Sequence, residues 1–132
     1  MYSRLIELKE VRELVRTLAK LGDDEVKAAL IILYNVSIGE ILFLKALRAS
    51  GVKNVGQTLS TLKDLGIIEV GRGTYSLARK YREVLSKVAR EKNKTVPEVG
   101  AGLARYLKEK FRIDHIVWFE STEVVLDGRR RS

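Results

Sequence analysis

The chain has 132 residues, 45% of them hydrophobic and 32% charged, with one Pro and no Cys. This is the composition of an ordered, helix-rich protein, long enough to bury a core without disulfides or metals. The lack of Cys excludes thiolate metal sites, disulfides and thiol redox sensing, and the single His, His115, argues against a His-based metal or triad site.

No apolar run approaches the roughly 20 residues that span a bilayer. The N-terminal MYSRLIELKEV carries charges inside its apolar pattern, unlike a secretory signal. A cytoplasmic protein with no membrane partner is therefore expected, forming one domain over 1–132. The net charge is +8, and its location is informative. Residues 44–94 hold twelve Lys and Arg against four acids, whereas the rest of the chain holds thirteen of each. Such a block is the electrostatic footprint of a nucleic-acid binder, or else a solvated basic face.

In chain order, Leu8, Val11, Val15 and Leu18 repeat at helical spacing and predict a helix over 4–21, ended by Gly22. Its seam can pack on the chain's own core or on a second copy. Asp23-Asp24-Glu25 opens a second helix, where acids complement the positive end of the dipole. The run from 26 to 36 is apolar nearly all round, which predicts a buried central helix. Ser37-Ile38-Gly39-Glu40 has capping-box spacing and predicts a third helix to about 49. In that helix Ile41, Leu44 and Leu47 face inward, and Lys45 and Arg48 face outward. A Gly-containing joint follows at 50–53.

A fourth helix is expected over 54–65, with Asn54 as N-cap and Gln57 at the capping-box position. Val55, Leu59, Leu62 and Leu65 form its apolar stripe, with Thr58 inside it. The opposite face carries Lys53, Gly56, Gln57, Ser60, Thr61 and Asp64, with amide and hydroxyl groups of the kind that bond base edges. Gly66 ends the helix, and 67–70 and 74–77 read as strands around Gly71-Arg72-Gly73. A lone Arg72 at such a tip suits a minor groove. The chain continues in a helix over 79–92 and a polar break. A capping box at Thr95–Glu98 then starts a last helix reaching about Phe111. Residues 115–126 suggest a β-hairpin.

The stretch 44–77 resembles the winged helix-turn-helix regulators of the MarR- and ArsR-like type. The resemblance lies in Ala49-Ser50-Gly51, Val55-Gly56-Gln57-Thr58-Leu59, Leu62, Leu65-Gly66-Ile67-Ile68 and Tyr75-Ser76-Leu77. Gly56 and Gln57 stand where those regulators usually carry Ser and Arg. The resemblance implies a mainly α fold with a small β-wing, a core over 23–77, and terminal extensions (1–22 and 78–132) that build a homodimer. It also implies a sequence-specific regulator of transcription on double-stranded DNA, with 54–65 in the major groove and the wing at the minor groove. The DNA-binding set is then Lys45, Arg48, Lys53, Asn54, Gly56, Gln57, Ser60, Thr61, Lys63, Arg72, Arg79 and Lys80, with Arg82 as a further phosphate contact.

The alternative is a winged-helix protein-interaction module in a transcription, replication or partition assembly. No catalytic or metal site and no cofactor is expected, because Asp114, His115, Glu120, Glu123 and Asp127 form no recognisable spacing. The sequence names no effector. Tyr106, Phe111, Trp118 and Phe119 suit either a ligand pocket or core and dimer contacts.

Overall fold

The computed structural model describes residues 5–118. Six helices and three short strands follow in the order α1 (Lys9–Leu18), α2 (Asp23–Asn35), β1 (Ser37–Gly39), α3 (Glu40–Ala49), α4 (Val55–Asp64), β2 (Ile68–Val70), β3 (Thr74–Leu77), α5 (Arg79–Lys92) and α6 (Val96–Lys110). The fold is mainly α with a small wing: a winged helix-turn-helix with further helices at both ends.

Helix α2 is the central post. Its apolar run leaves Val26 and 28–34 buried, and α3, α4 and α6 all pack against it. The Gly22 N–H donates to Glu25 Oε1 at 3.0 Å, closing the first turn from the side-chain direction. At the other end Val36 takes φ 67°, a left-handed value that a β-branched residue adopts only under strain. Two backbone bonds hold it there. Its N–H donates to Ile32 O at 2.7 Å, and its carbonyl accepts from the Leu77 N–H at 2.8 Å. That turn swings the chain from helix directly into β1.

Residues 37–39 are not the cap of a helix, as their spacing predicts, but a strand. Ser37, Ile38 and Gly39 pair antiparallel with Ser76, Tyr75 and Thr74, and the Ser37 and Ser76 hydroxyls meet at 3.2 Å. The pairing with β3 is extended on either side by the bonds from the Leu77 N–H to Val36 O and from the Glu40 N–H to Gly73 O, so the segment is held at both ends, whereas a capping box would hold only one. Helix α3 therefore begins at Glu40, whose N–H donates to Gly73 O of the wing at 2.9 Å. In consequence Ile41 points outward, 71% exposed, and not into the core as expected. Strand β2 completes the sheet in the order β1-β3-β2, with Val70 opposite Tyr75. Gly73 takes φ 68° in the wing turn, where a side chain would be strained.

Helix α1 is shorter than the predicted 4–21, and of its predicted seam Val11 and Leu18 are buried, with Leu14 beside them, while Leu8 and Val15 are half-buried; the helix packs on α5. Helix α6 crosses α2 closely at Gly100, where an added Cβ would overlap the Leu33 carbonyl oxygen and sit 3.1 Å from Val36 Cγ2. Residues 113–118 form neither helix nor strand. The expected hairpin over 115–126 thus has no strand in its first four residues, and the rest lies outside the described residues.

The capping box at the start of α6 forms as predicted. The Thr95 N–H donates to Glu98 Oε1 at 2.9 Å, and the Glu98 N–H donates to the Thr95 hydroxyl at 3.2 Å. The Thr95 backbone bond, then its side chain, hold the Glu98 carboxyl below its ordinary value. A depressed folded-state pKa contributes stability above the ordinary carboxylate value and loses it as pH falls through the folded value. Glu98→Gln should therefore lower the thermal midpoint at pH 7, and the difference from the parent chain should shrink toward pH 3. A pH-independent difference would assign the effect to packing.

Candidate functional site

Helix α4 presents its expected face. Asn54 Oδ1 accepts from the Gln57 N–H at 3.2 Å, so Asn54 is committed to the cap. Thr58, Leu59 and Leu62 are buried, and Gly56, Gln57, Ser60, Lys63 and Asp64 are exposed, with Thr61 half-buried. A Cβ at Gly56 would meet nothing within 4 Å, so internal packing does not require glycine there. The only charged residues of α4 are Lys63 and Asp64, which cancel. Lys45 and Arg48 are exposed on α3, and Arg72 is exposed at the wing tip. Exposed Lys53 stands in the joint, where its N–H donates to Asp24 Oδ2 at 3.1 Å.

Arg79 and Lys80 belong elsewhere, on α5. The Arg79 N–H donates to Glu69 Oε2 of β2 at 2.9 Å, and its guanidinium pairs with Glu83 at 3.4 Å. Lys80 points the other way, toward Glu13 of α1 at 3.8 Å. The charge excess divides accordingly. Residues 79–94 hold seven Lys and Arg against two acids, and residues 44–78 hold five against two. Most of the basic block therefore lies on α5 and the break behind it, while the helix predicted to read bases is neutral.

Three large apolar side chains are exposed among the described residues: Ile41, Val70 at 49% and Leu65 at 45%. Ile41 follows β1 and Val70 ends β2, so they flank β3 at the wing end of the sheet. Between them Tyr75 leans on the buried Phe43, with ring centroids 5.1 Å apart. The wing root is thus apolar and half open, next to the outward stripe of α3.

A feature that sequence reasoning missed holds the helix-turn-helix joint. Gly51 takes φ 85° there. The carbonyls and hydroxyl before it are claimed by distant residues. His115 Nε2 lies 2.7 Å from Ala49 O, which makes Nε2 the protonated nitrogen. Lys27 Nζ donates to Ser50 O at 2.6 Å. The Val117 N–H donates to the fully buried Ser50 Oγ at 2.8 Å. Trp118 then stacks on Tyr34, centroids 4.4 Å apart, and its carbonyl accepts from Asn35 Nδ2 at 3.2 Å. Arg105 donates to the Tyr34 hydroxyl at 2.9 Å. Trp118 is thus a packing residue against α2.

Among the described residues, no three His, Cys, Asp or Glu side chains converge as a metal site requires, and no helix is long and apolar enough to cross a membrane. Glu120, Glu123, Asp127 and Phe119 lie outside the described residues.

No curated protein and no solved structure matches the chain. One family model does match. Residues 22–83, just under half of the chain, are similar to the family described as PolB1 Binding Protein 2, which is of neither the MarR nor the ArsR type.

Proposed function

We propose that the chain is a winged-helix protein-interaction module that docks on a DNA polymerase of the PolB1 type, as part of a replication assembly. The observation that carries this reading is the extent of the family match. It runs from the residue capping α2 to the first turns of α5, and so takes in the helix-turn-helix, the sheet and the whole wing.

The chemistry of that surface supports the reading. The three large apolar side chains exposed among the described residues all fall within the matched span. Exposed apolar groups beside basic ones suit a protein partner, whose interface core is apolar. A DNA-reading helix gains nothing from an exposed Ile beside it, and α4 brings no net charge to phosphates. The exposed Arg72 favours the second reading, a sequence-specific regulator with Gln57, Ser60 and Thr61 at base edges. In that case the α1 seam would offer a homodimer its half-buried members, Leu8 and Val15, since Val11 and Leu18 are buried.

Titration calorimetry of the full chain against a purified PolB1 polymerase tests the docking. Ile41→Asp with Val70→Asp should weaken binding at least about tenfold, since burying a charge at an apolar contact costs well over 1.4 kcal/mol. Unaltered affinity in the double variant, or no binding by the parent chain, would remove this reading. Selection of one DNA site whose affinity depends on Gln57 would favour the regulator instead.

A further inference from the structure

We infer that the outer face of α5 is a second binding surface, one that takes the phosphate backbone of duplex nucleic acid without reading its sequence. Arg79, Arg82, Glu83, Ser86 and Arg90 line an open trough of about 520 Å³ along this helix. Positions 79, 82, 83, 86 and 90 recur at helical spacing, so they share one face. From Arg79 to Arg90 the helix rises roughly 16 Å. A duplex carries about one negative charge per 1.7 Å of its axis, so this length faces several phosphates.

The trough keeps a cationic surplus after its internal pairing. Glu83 faces Arg79, and Glu69 holds Arg82 Nη2 at 2.9 Å. Among the described residues Arg90 has no ion pair, and the buried Arg82 Nε has no hydrogen-bond partner. Lys87, Lys92 and Lys94 add further positive charge on the same helix and the break after it. The guanidinium fork matches a phosphate in geometry, and the Ser86 hydroxyl can donate to a phosphate oxygen.

The lining selects nucleic acid over an acidic polypeptide. It contains no apolar side chain. A protein partner would need an apolar centre, whereas nucleic-acid interfaces are polar and strongly positive. The neighbouring aromatic ring, Tyr81, is buried and offers no stacking platform. Single strands are held through such platforms, so the face fits a duplex backbone.

This inference stands on residues other than Ile41 and Val70 and does not depend on polymerase docking. Its test is fluorescence anisotropy of the full chain with a 20-base-pair duplex of arbitrary sequence, across a salt series. Arg79→Gln with Arg90→Gln should weaken binding at least about tenfold at low salt and reduce the salt slope by about two. The comparator Arg12→Gln with Arg16→Gln, at exposed positions of α1, should leave both nearly as they are. Circular dichroism melts confirm that each variant folds, and calorimetry with PolB1 should show no loss for the α5 variant. No duplex binding by the parent chain, equal losses from both pairs, or displacement of the duplex by polyglutamate at matched charge would each overturn the proposal. The last result would point to an acidic polypeptide.

Discussion

Replacing Phe43 with alanine is expected to lower stability by about 3–5 kcal/mol, the usual range for removing a buried aromatic side chain. Phe43 is fully enclosed, at 0% exposure. It sits on the inner face of α3 and carries Tyr75 of β3 at an interplanar angle of 56°. Ile38, paired with Tyr75, closes the same layer. Truncation would leave a cavity where α3, β1 and β3 converge, and a three-stranded sheet of such short strands has little freedom to collapse into it. Native proteins are stable by about 5–15 kcal/mol, so a loss of this size is a large fraction of the total. Urea denaturation should show the transition midpoint shifted down with the slope unchanged. The wing root should loosen as well, so binding that uses Val70 should fall even where the variant remains folded. A loss under about 1 kcal/mol would mean that the wing does not rest on this ring.

The second large effect is expected at Gly100. Glycine inside a helix is disfavoured against alanine by about 1 kcal/mol, so propensity alone predicts that Gly100→Ala stabilises α6. Packing opposes this. The new methyl would overlap the Leu33 carbonyl oxygen and crowd Val36 Cγ2 at 3.1 Å, while meeting Leu85 Cδ1 in ordinary contact at 3.5 Å. The Leu33 carbonyl is part of the α2 backbone and cannot swing away as the end of a flexible side chain could, so α2 and α6 would have to separate. Overpacking costs typically 1–3 kcal/mol and sometimes more. A net loss of about 2 kcal/mol is expected once the propensity gain is offset. A thermal melt decides between the two effects by sign: a raised midpoint would show that propensity wins.

What could be read from the sequence, and what could not, follows from how far each signal reaches along the chain. The α4 stripe, the Thr95–Glu98 box and the glycine-flanked wing are local patterns, and all three formed, except that Leu65 at the end of the stripe is exposed and not inward as expected. Helix α5 spans 79–92 as predicted, because its apolar positions face one way. Strand β1 escaped because its partner lies some 37 residues away, while its own residues imitate a cap. That error carried Ile41 into the predicted core, although it is the most exposed large apolar side chain among those described. The charge count along the chain was correct, but it could not tell the outer face of α5 from the reading face of α4. The joint's distant partners, His115 and Val117, carried no signal at all. A β-rich run looks the same whether it pairs with a strand or bonds to a turn.

The hold on that joint bears on how the molecule is made. Ala49 and His115 are 66 residues apart, as Ser50 and Val117 are 67 apart. Contacts of such long sequence separation require closure of a large loop, which local helices do not. On the ribosome, α2, α3 and α4 are all available before the residues that fix the angle between α3 and α4 have been added. The most local part of the fold is therefore the last to be finished. A nascent chain ending near Lys110 would hold all six of the described helices and a complete wing, with Ser50 Oγ and Ala49 O still bonded to water.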